Sequence, residues 1–262
     1  MLKKRIFAYN SDIGPMGLTI GAMLYRVKRK HKRGKKYLKM ILLVFGVIVI
    51  TEVLALVWLA SSVGRYKAFW ESKAKEGGEI TYLALGDSAA QGIGASSPMK
   101  GYVGVIANRI AEKTGKSVKI TNISKTGAKM SDYLQNQAPL VKKKRADIVT
   151  IEIGANDVAS YDSKKFRDEF RKVLQTLPDG TFVSNMPLFN SRPGSTNNAK
   201  LASKVIEEEL KNYPKLVFVD LQKQTTENRS IFGFAPDLFH PNNLSYKNWA
   251  DAFWIEIHPT ID

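Results

Sequence analysis

Residues 80–95 read ITYLALGDSAAQGIGA, and this stretch decides how the rest of the chain is read. The run Ile80–Leu85 has the length and composition of a strand buried on both faces, as a parallel sheet requires. Gly86, Asp87 and Ser88 follow at once, and Gly92 and Gly94 permit a tight turn that exposes backbone before the next helix. The pattern then recurs. Further strands are expected at Val118–Ile123, Asp147–Ile153, Thr181–Asn185 and Leu216–Leu221. Between and after them, Gly101–Thr114, Ser163–Leu177, Ala199–Asn212 and Tyr246–Ile257 place apolar residues at helical spacing. Alternating strands and amphipathic helices make parallel β-α units, so an α/β sheet flanked by helices is expected over residues 79–262.

In an open parallel sheet the loops that follow the strands gather at one edge, where ligands bind. Four short motifs fall there in order: Gly86-Asp87-Ser88, Gly127 within NISKTGAKMSD, Gly154-Ala155-Asn156-Asp157, and, near the C-terminus, Asp237-Leu238-Phe239-His240. Ser88 alone says little, because a serine opening a helix is an ordinary cap. A serine nucleophile needs a base, and the chain offers three histidines. His31 lies in the basic N-terminal arm, and His258 follows the last helix with no acid spaced to orient it. His240 has Asp237 three residues before it, so a tight turn can bring the carboxylate to one ring nitrogen while the other faces the serine. A tetrahedral intermediate also needs donors already in place. The backbone N–H groups of Gly127 and Ser88 and the side-chain amide of Asn156 are the candidates.

Taken together, these residues resemble the GDSL/SGNH hydrolase superfamily of esterases and lipases. The nucleophile block corresponds to Gly86–Ser88, the glycine block to Asn122–Gly127, the asparagine block to Gly154–Asp157 and the acid/base block to Asp237–His240. The likeness covers residues 80–250. It implies a flavodoxin-like three-layer α/β/α sandwich, a triad of Ser88, Asp237 and His240, and an oxyanion hole from Ser88, Gly127 and Asn156. Two positions depart from the family pattern: Ala89 stands where leucine is usual, and Ser245 where glycine often precedes the aromatic residue of the final helix. Neither bears on the chemistry.

Outside the resemblance, residues 41–60 read ILLVFGVIVITEVLALVWLA, with Glu52 as the single ionisable side chain. At a rise of about 1.5 Å per residue these twenty residues match the roughly 30 Å core of a bilayer. A transmembrane helix is expected, uncleaved, although Leu59-Ala60-Ser61 offers small residues to a signal peptidase. Glu52 is read as a structural or helix-pairing residue rather than a chemical one.

The formal charge of +16 is concentrated ahead of this run: residues 1–39 hold twelve Lys/Arg and one acid, leaving only +5 for the rest. Residues 26–39 carry nine basic residues and no acid, whereas residues 61–76 carry four against two Glu. The basic flank should stay in the cytoplasm and meet anionic lipid headgroups, with the C-terminal domain outside. Nucleic acid is not expected as a partner. The organisation expected is therefore a basic arm at 1–40, a span at 41–60, a connector at 61–78 and the catalytic domain at 79–262.

With no cysteine in the chain, disulfides, thiolate metal sites and cysteine nucleophiles are excluded. Neither cofactor nor metal is expected. The function expected is hydrolysis of carboxylic esters, either lipid acyl esters or O-acetyl groups of envelope glycans. Acyl transfer to a sugar or lipid hydroxyl and a catalytically silent binding module are the alternatives.

Overall fold

The computed structural model describes residues 15–141, 143, 145–189 and 193–261, the side chains of 15–21, 30–34 and 193–195 excepted. The first fourteen residues of the basic arm and residues 190–192 lie outside the described residues. Compactness divides the chain into two units, residues 1–54 and 55–262.

In the second unit, five parallel strands form one sheet: β1 (Ile80–Gly86), β2 (Val118–Asn122), β3 (Ile148–Glu152), β4 (Phe182–Ser184) and β5 (Val217–Val219). Their order is β2-β1-β3-β4-β5, the doubly wound flavodoxin-like order. β1 is an interior strand, with Ala84 opposite Asn122 on one side and Thr150 on the other, and Gly86 opposite Glu152. All five strands expected from sequence are present, β1 one residue longer than expected and the other four trimmed at their ends.

The helices in chain order are α1 (Pro15–Lys73), α2 (Ser88–Gln91), α3 (Tyr102–Thr114), α4 (Met130–Asn136), α5 (Ala138–Val141), α6 (Ala155–Val158), α7 (Ser163–Leu174), α8 (Pro193–Leu210), α9 (Leu221–Glu227) and α10 (Asn243–Ile257). Alternate residues of β1 serve opposite faces of the sheet. Leu83 and Leu85 enter the core shared with α4 to α8, while Tyr82 and Ala84 enter the core built with α3 and α10. Two cores around one sheet give the three layers expected.

The described part of the chain departs from expectation most in α1. It carries an apolar stretch long enough to cross a membrane, with side chains such as Leu43 and Phe45 more than 60% exposed. The segment expected as a connector after residue 60 is helical as far as Lys73, and one stripe of it is buried: Ser62, Tyr66 and Trp70, continuing from Leu59. These residues recur at three- and four-residue spacing, which aligns them on one face of a helix. Trp70 joins the core beside α3 and α10 and donates its indole N–H to the carbonyl of Gln91 at 3.0 Å, while the Tyr66 hydroxyl donates to the carbonyl of Ala95 at 2.6 Å. The domain therefore takes its first packing layer from residues that precede Glu79. Trp70→Ala should destabilise it by about 3–5 kcal/mol, the usual cost of emptying a buried aromatic site. Denaturant melts of the full-length protein in detergent check this, and a loss below about 0.5 kcal/mol, the size of a surface effect, would mean that the indole does not support the domain.

Candidate active site

β1 ends at Gly86, whose φ of 133° is open to glycine and hardly to other residues; a Cβ there would lie 2.1 Å from the carbonyl oxygen of Glu152. This lets β1 and β3 remain paired up to the residue before Asp87. The chain then turns directly into α2, so Ser88 stands at the carboxyl end of β1. Its side chain is nearly buried, at 5% exposure. Asp87 caps the helix by accepting from the Ala89 N–H at 2.9 Å.

His240 arrives from the far end of the sequence. Asp237 Oδ1 accepts from the N–H groups of Phe239 (3.1 Å) and His240 (3.0 Å), folding the four residues into a tight turn. Leu238 takes a left-handed φ of 54° within it, the only such non-glycine among the described residues. The turn leaves Asp237 Oδ2 2.6 Å from His240 Nδ1, and His240 Nε2 3.0 Å from Ser88 Oγ. Close approach elsewhere holds this segment down: a Cβ on Gly94 would meet the carbonyl oxygen of Pro241 at 2.3 Å and the His240 Cβ at 2.9 Å. Burial alone would raise the Asp237 carboxyl, but the His240 ring and the two backbone N–H groups outweigh it and hold the group below the ordinary carboxylate value. A carboxylate, an imidazole and a hydroxyl in this sequence of contacts can pass the serine proton to the ring and stabilise the imidazolium so formed.

The donor side of the site is arranged less simply. Gly127 lies in open space in the loop after β2, next to Ala128. Asn156, in α6, is brought to the nucleophile turn as well, but its amide donates to Asp87 Oδ2 at 2.9 Å and to the Ala128 carbonyl at 3.0 Å. Both N–H bonds of the Asn156 side chain are committed to protein acceptors. The amide ties together the turns after β1, β2 and β3.

Other ties were not singled out from sequence. Gln91 donates to the Ser124 carbonyl at 3.1 Å and accepts from the Thr126 N–H at 3.1 Å, fastening the Gly127 loop to α2. Gln137 brackets Gly86, accepting from its N–H at 3.0 Å and donating to its carbonyl at 2.8 Å. Gln91 had a sequence signal, sitting three residues after Ser88 on the same short helix; Gln137 had none.

Two acids sit directly behind the serine. Asp87 is 1% exposed and Glu152, on β3, fully buried. Burial pushes Asp87 up to about 6, against the pull of the Ala89 N–H and His240. Burial, with the neighbouring Asp87 charge, pushes Glu152 well above its ordinary 4.5. Folding therefore takes up a proton at Glu152 wherever the unfolded chain would ionise it. Stability falls by about 1.4 kcal/mol per pH unit from that ordinary value upward, until the raised folded value is passed. Asp87 contributes in the same direction, from its ordinary 3.8 up to about 6. Glu152→Gln, neutral at every pH, should flatten the fall of stability as pH rises above the ordinary value of 4.5, read from denaturant melts. A variant losing stability with the wild-type slope would contradict this account of Glu152.

Beside the triad runs a cleft of about 620 Å³, open to solvent. Phe189, Phe234, Phe239 and Trp249 give it aromatic walls, and Thr225 and Arg229 add polar groups. Phe189 and Phe239 stack with centroids 5.9 Å apart.

A serine, a histidine and an aspartate in hydrogen-bond contact at the carboxyl edge of a parallel sheet are the groups that a serine hydrolase uses. Residues 84–247 match the model of the GDSL-like lipase/acylhydrolase family, and the chain belongs to that family. No curated protein matches the chain. Among solved structures, it is similar to a lipase/acylhydrolase from Enterococcus faecalis, with 22% identity and a TM-score of 0.59 over 70% of this chain and 97% of that one. It is also similar to the acetyl xylan esterase Axe2 from Geobacillus stearothermophilus, at 21% identity and a TM-score of 0.57 over 69% and 95% of the two chains. A third likeness is to TesA, at 19% identity and a TM-score of 0.58 over 69% and 99%. At these identities the three similarities speak for the fold. Family and fold together make the protein a carboxylic ester hydrolase.

Proposed function

We propose that the protein is a membrane-anchored esterase working through an acyl-serine intermediate, with Ser88 as nucleophile, His240 as general acid/base and Asp237 orienting and stabilising the ring. The observation that carries this reading is the contact series Asp237 Oδ2 to His240 Nδ1 at 2.6 Å and His240 Nε2 to Ser88 Oγ at 3.0 Å. As Ser88 Oγ bonds to the acyl carbon, its proton moves to His240 Nε2. The imidazolium then returns that proton to the departing alcohol oxygen. Water enters by the same route, giving its proton to His240 and its oxygen to the acyl group, and Ser88 recovers its hydrogen. The Ser88 and Gly127 N–H groups and the Asn156 amide carry the negative charge of the intermediate. For Asn156 this requires releasing Ala128 or Asp87 as substrate arrives.

The aromatic cleft favours an apolar acyl chain, and the likeness to an acetyl xylan esterase adds glycan O-acetyl groups to the candidates. A panel of acyl esters from acetate to palmitate, given to the full-length protein in detergent micelles, tests the activity and reads its chain-length preference. Hydrolysis of none of them would overturn the reading.

The membrane reading rests on the apolar stretch of α1 and on the flanking charge. It puts residues 1–40 in the cytoplasm, about 41–60 in the bilayer and 61–262 outside. Protease added to intact spheroplasts should digest the catalytic domain and spare the arm. Protection of that domain until the membrane is permeabilised would reverse the orientation, and a mature chain beginning near Ser61 would make the segment a cleaved signal.

A further inference from the structure

The apolar run of α1 ends against the catalytic domain at the loop that carries the catalytic histidine. Leu59, in the last turn of that run, is buried with Tyr66, Ile93 and Ala235, and Val63 packs against the cluster. Ala235 belongs to the segment 230–241, whose far end bears Asp237 and His240. From Trp70, bonded beside α2, the helix climbs about 16 Å before reaching Leu59. At its other end α1 stops at Lys73, shortly before β1 starts at the amino edge of the sheet. The end of α1 that continues into the apolar run therefore lies toward the carboxyl edge, where Ser88 is.

Two further features mark this level of the helix as a lipid–water boundary. Arg65 lies over the Trp58 ring at 5.3 Å and donates to the Trp58 carbonyl at 3.2 Å. Tryptophan is enriched at headgroup level, and arginine there keeps its charge in water while its stem lies along apolar surface. The same loop that packs on Leu59 also presents Ile231 and Phe232, which are 80% and 77% exposed. Their backbone is held in place. The Asn242 amide donates to the carbonyls of Phe232 (2.6 Å) and Phe234 (3.2 Å), the Asn242 N–H donates to Gly233 at 3.0 Å, and the Ala235 N–H donates to His240 at 2.8 Å. A single exposed apolar residue is ordinary. An adjacent pair on a fixed loop, one turn of chain from where the span meets the domain, is placed to meet lipid.

We propose that Ile231 and Phe232 dip into the outer face of the bilayer that holds the chain's own helix, so that ester substrates reach Ser88 directly from the lipid. Ser230 and Phe234 flank the pair and line the cleft, and they form the path inward. This rests on the membrane-anchored esterase reading and adds to it a substrate class: esters that partition into the membrane.

The absence of cysteine makes the position of the lip measurable, since one introduced thiol reports alone. Full-length Phe232→Cys, labelled with bimane and reconstituted in phosphatidylglycerol/phosphatidylcholine vesicles, should be quenched by bromines on the lipid acyl chains. Lys116→Cys, exposed at the opposite edge of the sheet, should not be. Equal quenching at the two sites, or none at either, would overturn the proposal. In unlabelled protein, Ile231→Ser combined with Phe232→Ser should slow cleavage of a vesicle-borne long-chain ester at least about tenfold, the factor expected from withdrawing even one such side chain from lipid. Its rate on a soluble acetyl ester should stay at the wild-type value. Equal loss on both esters, or loss on neither, would count against the lip. If the wild-type protein cleaves neither ester, the esterase reading falls, and the quenching result still decides where the lip lies.

Discussion

Ser88→Ala should lower ester turnover by about 10⁴–10⁶, the cost of disabling a catalytic unit whose members act together. The prediction follows from position. Ser88 Oγ is held 3.0 Å from His240 Nε2 at the end of β1, and its removal leaves the imidazole with no proton to accept from a nucleophile. Stability should hardly change. The hydroxyl takes no part in capping α2, which falls to Asp87, and alanine suits a helical first turn. A variant that melts with the wild type and yet turns over ester at the wild-type rate would remove Ser88 from the mechanism.

Asn156→Ala should cost about 10²–10³ in kcat with little change in KM, because an oxyanion donor matters chiefly once charge has developed. The Asn156 amide is bonded to Asp87 and Ala128, so a second route to the same loss exists through misplacement of Asp87. A double-mutant cycle separates them. If Asn156 acts on the oxyanion, its removal in an Asp87→Ala background should still cost most of the full factor. If it acts only by holding Asp87, that background should absorb the loss. A rise in KM without a fall in kcat would recast Asn156 as a substrate-binding residue.

Much of this architecture is legible from residue pattern because parallel strands are buried on both faces. Ile80–Leu85 and the run ending at Glu152 are nearly unbroken apolar stretches, and the loops after them carry the motifs. What reads less well depends on partners distant in sequence. Glu152 hides inside its strand as a lone acid among Ile, Val and Thr, and its raised pKa comes from burial beside Asp87, which no local pattern announces. Residues 61–78 carry Lys67, Lys73, Lys75, Ala68 and Ala74 and close on Gly77-Gly78, and that composition suggests a linker. Its inner stripe of Ser62, Tyr66 and Trp70 has helical spacing all the same, and it marks the face that the domain covers. The residue types of the triad and the turn between Asp237 and His240 follow from spacing. The commitment of the Asn156 amide does not, because it depends on a rotamer chosen by Asp87 and the Ala128 carbonyl.

In the proposed mechanism Ser88 carries the acyl group. This is tested most directly by treating the full-length protein with a fluorophosphonate, which bonds to an activated serine and stays there, and locating the adduct by peptide mass spectrometry. Stoichiometric modification of Ser88 is expected, lost in His240→Ala and accompanied by loss of ester hydrolysis. An adduct on another serine, or undiminished hydrolysis in a protein fully modified at Ser88, would contradict it.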